Sequence, residues 1–226
     1  MKSLISEIAK GMALKIGVVS QKGGVGKSTL VRALAVEYAR NDFSVKIADM
    51  DLKQKTATEW NCIRMEIGAS PALAVEPFSK VKEVMKQDDQ YDLIIFDGAG
   101  QADAQTLEIS QQCDFIILPT GVGRDDLLPQ VKLAHELVRR GIPRGSIAFT
   151  LSRVSDSKAE QRAAEEFIGD AGYWLAGFIQ ERTSISQSHD NGLAANETRY
   201  DTINGVVDQL IQQIGDRINK AMESNG

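Results

Sequence analysis

The chain has 226 residues, 42% apolar and 25% charged, the balance of an ordinary globular protein with enough length to bury one sizeable core. Its formal net charge of -5 argues against a constitutively basic nucleic-acid-binding domain, although a local basic patch on one face stays compatible with it. Two cysteines, Cys62 and Cys113, form no CxxC pair, which disfavours a disulfide framework or a zinc site and fits a reduced compartment. No apolar run approaches the roughly 18 to 20 residues of a membrane span. The opening "MKSLISEIAKG" is too short and polar for a signal peptide. Residues 1–11 are therefore expected to be an extension ahead of a single domain over 12–226, and the protein is read as cytoplasmic.

The first expected strand is "LKIGVVS" (14–20), and "SQKGGVGKST" follows at once. Gly23, Gly24 and Gly26 permit a tight turn whose backbone N–H groups approach phosphate oxygens. Around them, Val25, Lys27, Ser28 and Thr29 complete a phosphate-binding loop. Lys27 would reach the β/γ-phosphates, and the Ser28 hydroxyl would ligate Mg²⁺. A helix expected over 27–40, with apolar Leu30, Leu34, Ala35 and Tyr38 on one face, adds its N-terminal dipole. The ordinary GxxxxGK[ST] pattern fails here, because Gln21 holds the place of its first glycine and a second lysine, Lys22, precedes Gly23.

The next strand, "SVKIADM" (44–50), runs into Asp49 and Asp51 at what would be the ligand-binding edge of a doubly wound sheet. "ALAVEP" (72–77) follows, and then "YDLIIFDGAG", an apolar strand ending in Asp97 with Gly98 and Gly100 behind it. "CDFIILPT" (113–120) leads to "GVGRDDLLPQ". "SIAFTLS" (146–152) and "YWLAGFIQ" (173–180) complete the strand set. Near-continuous apolar runs alternating with helical spacing predict βαβ units and a mostly parallel sheet covered by helices on both faces. Ile203, Val206, Val207, Leu210, Ile211, Ile214 and Ile218 form one stripe of a long amphipathic C-terminal helix. Trp60 and Trp174 read as packing residues, and His135 and His189 as ordinary ones.

From Leu14 to about Ile218 the sequence resembles the ParA/MinD family of deviant Walker A ATPases, marked by KGGxGK[ST]. The resemblance implies ATP and Mg²⁺ as ligands and hydrolysis of ATP. It gives Lys22 a role in trans, reaching the nucleotide of a partner in a sandwich dimer, as an arginine finger would. It assigns Asp51 to the attacking water and Asp97 to Mg²⁺ through a water. Asp49 is left to support Mg²⁺ through water or to brace the loop. Family members often continue with Asp-Pro-Gln, where this chain reads "DLKQKTATEW". The resemblance puts Ser152 and Arg153 beside the base. Pro119 and Thr120 fall near the nucleotide or the dimer interface. Arg124 is either at that interface or solvated.

Of the family, short plasmid-type ParA partition proteins are the nearest match, with no helix-turn-helix domain ahead of Leu14. This implies an ATP-bound homodimer on nonspecific DNA, released by hydrolysis that a ParB-like partner stimulates, and hence a nucleoid-associated location without membrane contact. Arg182, Arg199, Arg217 and Lys220 are the candidate DNA contacts. The alternative is a MinD-like membrane-associated ATPase or another cargo-positioning ATPase on the same fold. The tail "DRINKAMESNG" lacks the apolar face with flanking Lys/Arg of an interfacial helix. A nitrogenase-reductase relative would need cysteines at a dimer axis, which Cys62 and Cys113 do not suggest.

Overall fold

The computed structural model describes residues 12–54, 56–100 and 104–225. The expected extension over 1–11 lies outside them. Seven strands form one sheet: β1 (Leu14–Val18), β2 (Val45–Asp49), β3 (Ala74–Pro77), β4 (Leu93–Asp97), β5 (Phe115–Thr120), β6 (Ile147–Val154) and β7 (Trp174–Gln180). They lie in the order β3-β2-β4-β1-β5-β6-β7, and every pairing is parallel. All seven apolar runs read from the sequence became strands. The central ones are buried along their whole length, because helices cover both faces.

One face carries α1 (Lys27–Arg40), α2 (Thr56–Glu66), α7 (Thr183–Asp190) and α8 (Asp201–Asn225). The other carries α3 (Val81–Val84), α4 (Ala104–Gln112), α5 (Arg124–Arg139) and α6 (Lys158–Asp170). The two hydrophobic clusters that result lie on opposite sides of the sheet, as alternating side chains of buried strands require. In α8 the predicted stripe is buried at Val207, Leu210, Ile211, Ile214 and Ile218. Ile203 is partly buried and Val206 is 44% exposed, both lining a surface groove.

Register decides where the chemistry lies. Asp97 pairs with Val18 on one side and with Asp49 on the other. The phosphate loop after β1 and both carboxylate-bearing strand ends thus meet at one point of the sheet's C-terminal edge. No helix among the described residues is long and apolar enough to cross a membrane.

Candidate active site

A polar cavity of about 200 Å³ opens at that edge, lined by Lys27, Ser28, Asp51, Asp97, Gly100 and Arg153 among others. The phosphate loop forms its floor. Gly26 has φ +83°, and a Cβ there would fall 2.6 Å from Ser152 Oγ, so glycine is required by both conformation and space. Gly100 approaches the loop from the other wall, where a Cβ would meet Gly23 Cα at 2.9 Å. Two contacts that sequence reading missed come from α5: Gln130 accepts from the Gln21 amide at 3.1 Å and donates to the Val19 carbonyl at 3.0 Å. They fix the chain as it leaves β1.

Lys27 is buried, and its Nζ donates to Ser20 Oγ at 3.3 Å. Burial lowers its pKa, and the charges of Asp97 and Asp51 work against that shift. Asp97 is 2% exposed, and among the described residues neither of its carboxylate oxygens has a hydrogen-bond partner. Burial pushes its pKa up to about 6 against the pull of the neighbouring Ser28 hydroxyl, and Asp49 raises it further. An orphaned buried carboxylate beside a hydroxyl is a fit for a hard, oxygen-seeking cation. No group of three or more His, Cys, Asp or Glu side chains able to hold a metal occurs among the described residues. Mg²⁺ here would depend on nucleotide phosphates for further ligands, as is usual for this ion.

The two aspartates after β2 differ. Asp49 is fully buried and already engaged: one oxygen accepts from the Asp51 amide at 3.2 Å, the other from the Thr58 amide and hydroxyl at 3.1 and 2.9 Å. Of its two expected tasks, bracing the loop is the one these bonds describe, and it caps the first turn of α2 as well. Asp51 accepts from the amides of Lys53 and Gln54 through one oxygen, at 3.2 and 3.1 Å, and lines the cavity. Asp51 thereby organises the turn over 51–54.

Lys22 sits at the rim with Nζ 2.8 Å from Asp126 Oδ1 of α5, and both side chains are partly exposed. Its carbonyl accepts from the Ser20 hydroxyl at 2.6 Å. Val25 is buried and holds the loop down as packing. Thr29 faces both the phosphate cavity and a neighbouring one of about 130 Å³. Ser152, Arg153, Gln180 and His189 line that second cavity, which adjoins the first at Gly26 and Thr29. Arg153 adopts φ 54°, a conformation rare for a residue with a side chain and concentrated at functional sites. His189, read from sequence as ordinary, is partly buried there, and its buried Nε2 has no hydrogen-bond partner among the described residues. Burial, then Arg32, lowers its pKa to about 4. Pro119 and Thr120 end β5 at the same sheet edge, and Arg124 opens α5 exposed to solvent.

The four basic candidates divide. Arg182 and Arg199 line one groove of about 640 Å³ between α7 and α8. Arg182 is paired with Asp156 at 2.7 Å, and the Arg199 guanidinium lies 4.8 Å from the Tyr200 ring centroid. Arg217 instead stacks on Trp174 at the opposite end of β7, its centroid distance 5.6 Å, and its Nε is buried. Lys220, one turn further along α8, is exposed.

Among protein families, the model described as ATPase MipZ matches residues 15–139. The structure of the cell division ATPase MinD from Pyrococcus furiosus is similar with a TM-score of 0.73 at 18% identity, covering 91% of this chain and 99% of its own. MinD of Pyrococcus horikoshii, solved with Mg-ADP, gives 0.72 at 18% identity over 90% and 96%. An ATP complex of a McdA variant from Cyanothece gives 0.69 at 15% identity over 91% and 97%. At such identities these structures share the fold. No curated protein sequence matches the chain.

Proposed function

The chain belongs to the ATPase MipZ family, of the ParA/MinD type, and from that premise we propose that it hydrolyses ATP and uses the cycle to position or partition cargo along DNA. The observation that supports hydrolysis best is the orphaned, buried Asp97 facing Ser28, Lys27 and Asp51 across one polar cavity. Bound there with the phosphates, Mg²⁺ would supply charge neutralisation to a reaction whose barrier is set by positioning and electrostatics. Ser28 and, through water, Asp97 would hold it. Lys27 and the loop amides bind the phosphates. Asp51 orients the attacking water with the oxygen that its own turn leaves free. Arg153, Ser152 and the second cavity receive the base side of the nucleotide. That MinD of Pyrococcus horikoshii was solved with Mg-ADP and McdA with ATP supports this ligand set.

Lys22 is proposed to act in trans across an ATP-bound homodimer. To do so it must leave Asp126. A half-exposed pair of this kind is worth about 0.2–1 kcal/mol, so a phosphate outcompetes it. DNA contact is proposed for the groove of Arg182 and Arg199, which opens at the same sheet edge as the nucleotide cavity. The dimer would align two such grooves, and a ParB-like partner would stimulate hydrolysis and release. Arg217 and Lys220 lie toward the other end of β7 and are assigned a lesser part. The proposed location is the cytoplasm, on the nucleoid.

The test is binding of Asp51→Ala protein to a random-sequence DNA duplex, with Mg-ATP against Mg-ADP at two salt concentrations. Binding only with ATP, weakening with salt, supports the DNA track. An ATP dimer that binds no DNA but sediments with anionic lipid vesicles would replace it with a membrane-positioning function.

A further inference from the structure

Arg32 lies four residues after Ser28 in α1, so the two side chains share one helix face a turn apart. It is 8% exposed, and it reaches the phosphate cavity that Ser28, Asp51 and Asp97 line. A guanidinium this buried destabilises a fold unless its donors and charge are answered. Thr56 answers one donor: its carbonyl accepts from Nη2 at 2.7 Å. Trp60 offers its ring, with the centroid 5.2 Å from the guanidinium carbon. Asp97 and Asp49 supply opposite charge, countering the effect of burial on the guanidinium. Nε is buried and has no hydrogen-bond partner among the described residues.

Thr56 is the first residue of α2, and the Asp51 turn reaches as far as Gln54. α1 holds Thr56 twice, through Arg32 at its carbonyl and through the Ser28 hydroxyl, 3.0 Å from Thr56 Oγ1. The Ser28 oxygen is the one a metal ion would claim, which alters that second contact. The Arg32 contact is independent of the metal. We infer that Arg32 is a positioning residue for hydrolysis: it ties the start of α2 to the phosphate-loop helix and so fixes the Asp51 turn relative to the phosphates. Arg32 acts through the turn, not on the nucleotide. The inference rests on the assignment of Asp51 to the attacking water.

Arg32→Met keeps the apolar stem against Trp60 but removes donors and charge, and Arg32→Lys keeps the charge and an N–H donor group without the guanidinium fork. Three readouts apply to each: steady-state turnover, calorimetric affinity for Mg²⁺ with a non-hydrolysable ATP analogue, and amide exchange over 51–58 in the analogue-bound protein. Arg32→Met should lower kcat about tenfold or more, the worth of a hydrogen bond from a charged donor. Analogue affinity should stay within about twofold, since uniform binding is untouched. Exchange over 51–58 should rise, and Arg32→Lys should recover part of both losses. Unchanged kcat overturns the inference. So does affinity falling in step with kcat, which would mean a direct phosphate contact or a damaged loop, and so does a kcat loss without faster exchange. If the parent protein turns over no ATP, the hydrolysis proposal fails by itself, and the exchange measurement still decides whether Arg32 clamps the turn.

Discussion

Asp97 is buried and His189 partly so, and acid acts on them in opposite senses. The folded pKa of Asp97 is about 6 against 3.8. Between these values the folded chain holds a proton that the unfolded chain has released, so acidification through this window favours folding. His189 falls to about 4 from 6.5. Its neutral imidazole contributes fully above pH 6.5, and that contribution is lost as pH falls toward 4, because the unfolded chain protonates first. Asp97→Asn removes only the first effect. In urea titrations without nucleotide, the variant should be more stable than the parent at pH 7 by about 1–3 kcal/mol, with the difference shrinking as pH falls through 6. It should also lose Mg²⁺-dependent tightening of nucleotide binding. Three further substitutions separate the polar roles. Lys27→Ala should lose tight ATP binding in calorimetry. Asp51→Ala should bind ATP yet stop releasing phosphate. Lys22→Ala should bind ATP as a monomer and fail to form the ATP-dependent dimer in light scattering.

Among the elements, α2 is fastened at both ends. At its start, Asp49 caps Thr58, and Arg32 and Ser28 hold Thr56. Further on, Trp60 Nε1 donates to the Leu193 carbonyl at 3.1 Å. Arg64 makes a two-pronged pair with Glu197 at 2.6 and 3.0 Å, almost fully buried. The helix that follows the Asp51 turn is therefore tied to the segment leading into the Arg199 groove. Breaking one partner of a buried pair strands the other charge. Arg64→Met should thus destabilise the fold by about 3–5 kcal/mol in denaturant titrations. The exposed pair of Arg139 with Glu136 makes the contrast, and Arg139→Ala should cost less than about 1 kcal/mol.

For the whole molecule, the net charge of -5 repels DNA, so any affinity must come from a local cluster that outweighs the average. The groove is the proposed cluster: it brings Arg199 and Arg182, the latter paired with Asp156, together with the half-exposed Tyr200 and Val206. If both arginines touch phosphates, Arg199→Ala should lower the slope of log affinity against log salt by about 1 per site, measured on the ATP-bound dimer. Arg217→Ala should lower the slope by less than Arg199→Ala does and lower thermal stability as well, since its guanidinium packs on Trp174.

Much of this molecule could be read from its residues in a row. Glycine, lysine and serine at fixed spacing read as a phosphate loop, since such a backbone lets N–H groups converge on an anion, and apolar runs between helical stripes dictate a covered parallel sheet. Strand order was not local information, nor was the register that sets Asp97 beside both Val18 and Asp49. Arg32, Thr56, Asp126 and Gln130 carry no motif; they matter only because packing brings α1, α2 and α5 against one loop. The split of the basic residues follows the same logic. Arg182 and Arg217 look alike in sequence, and only the length of β7, with one at each end, separates a groove cation from a packed one.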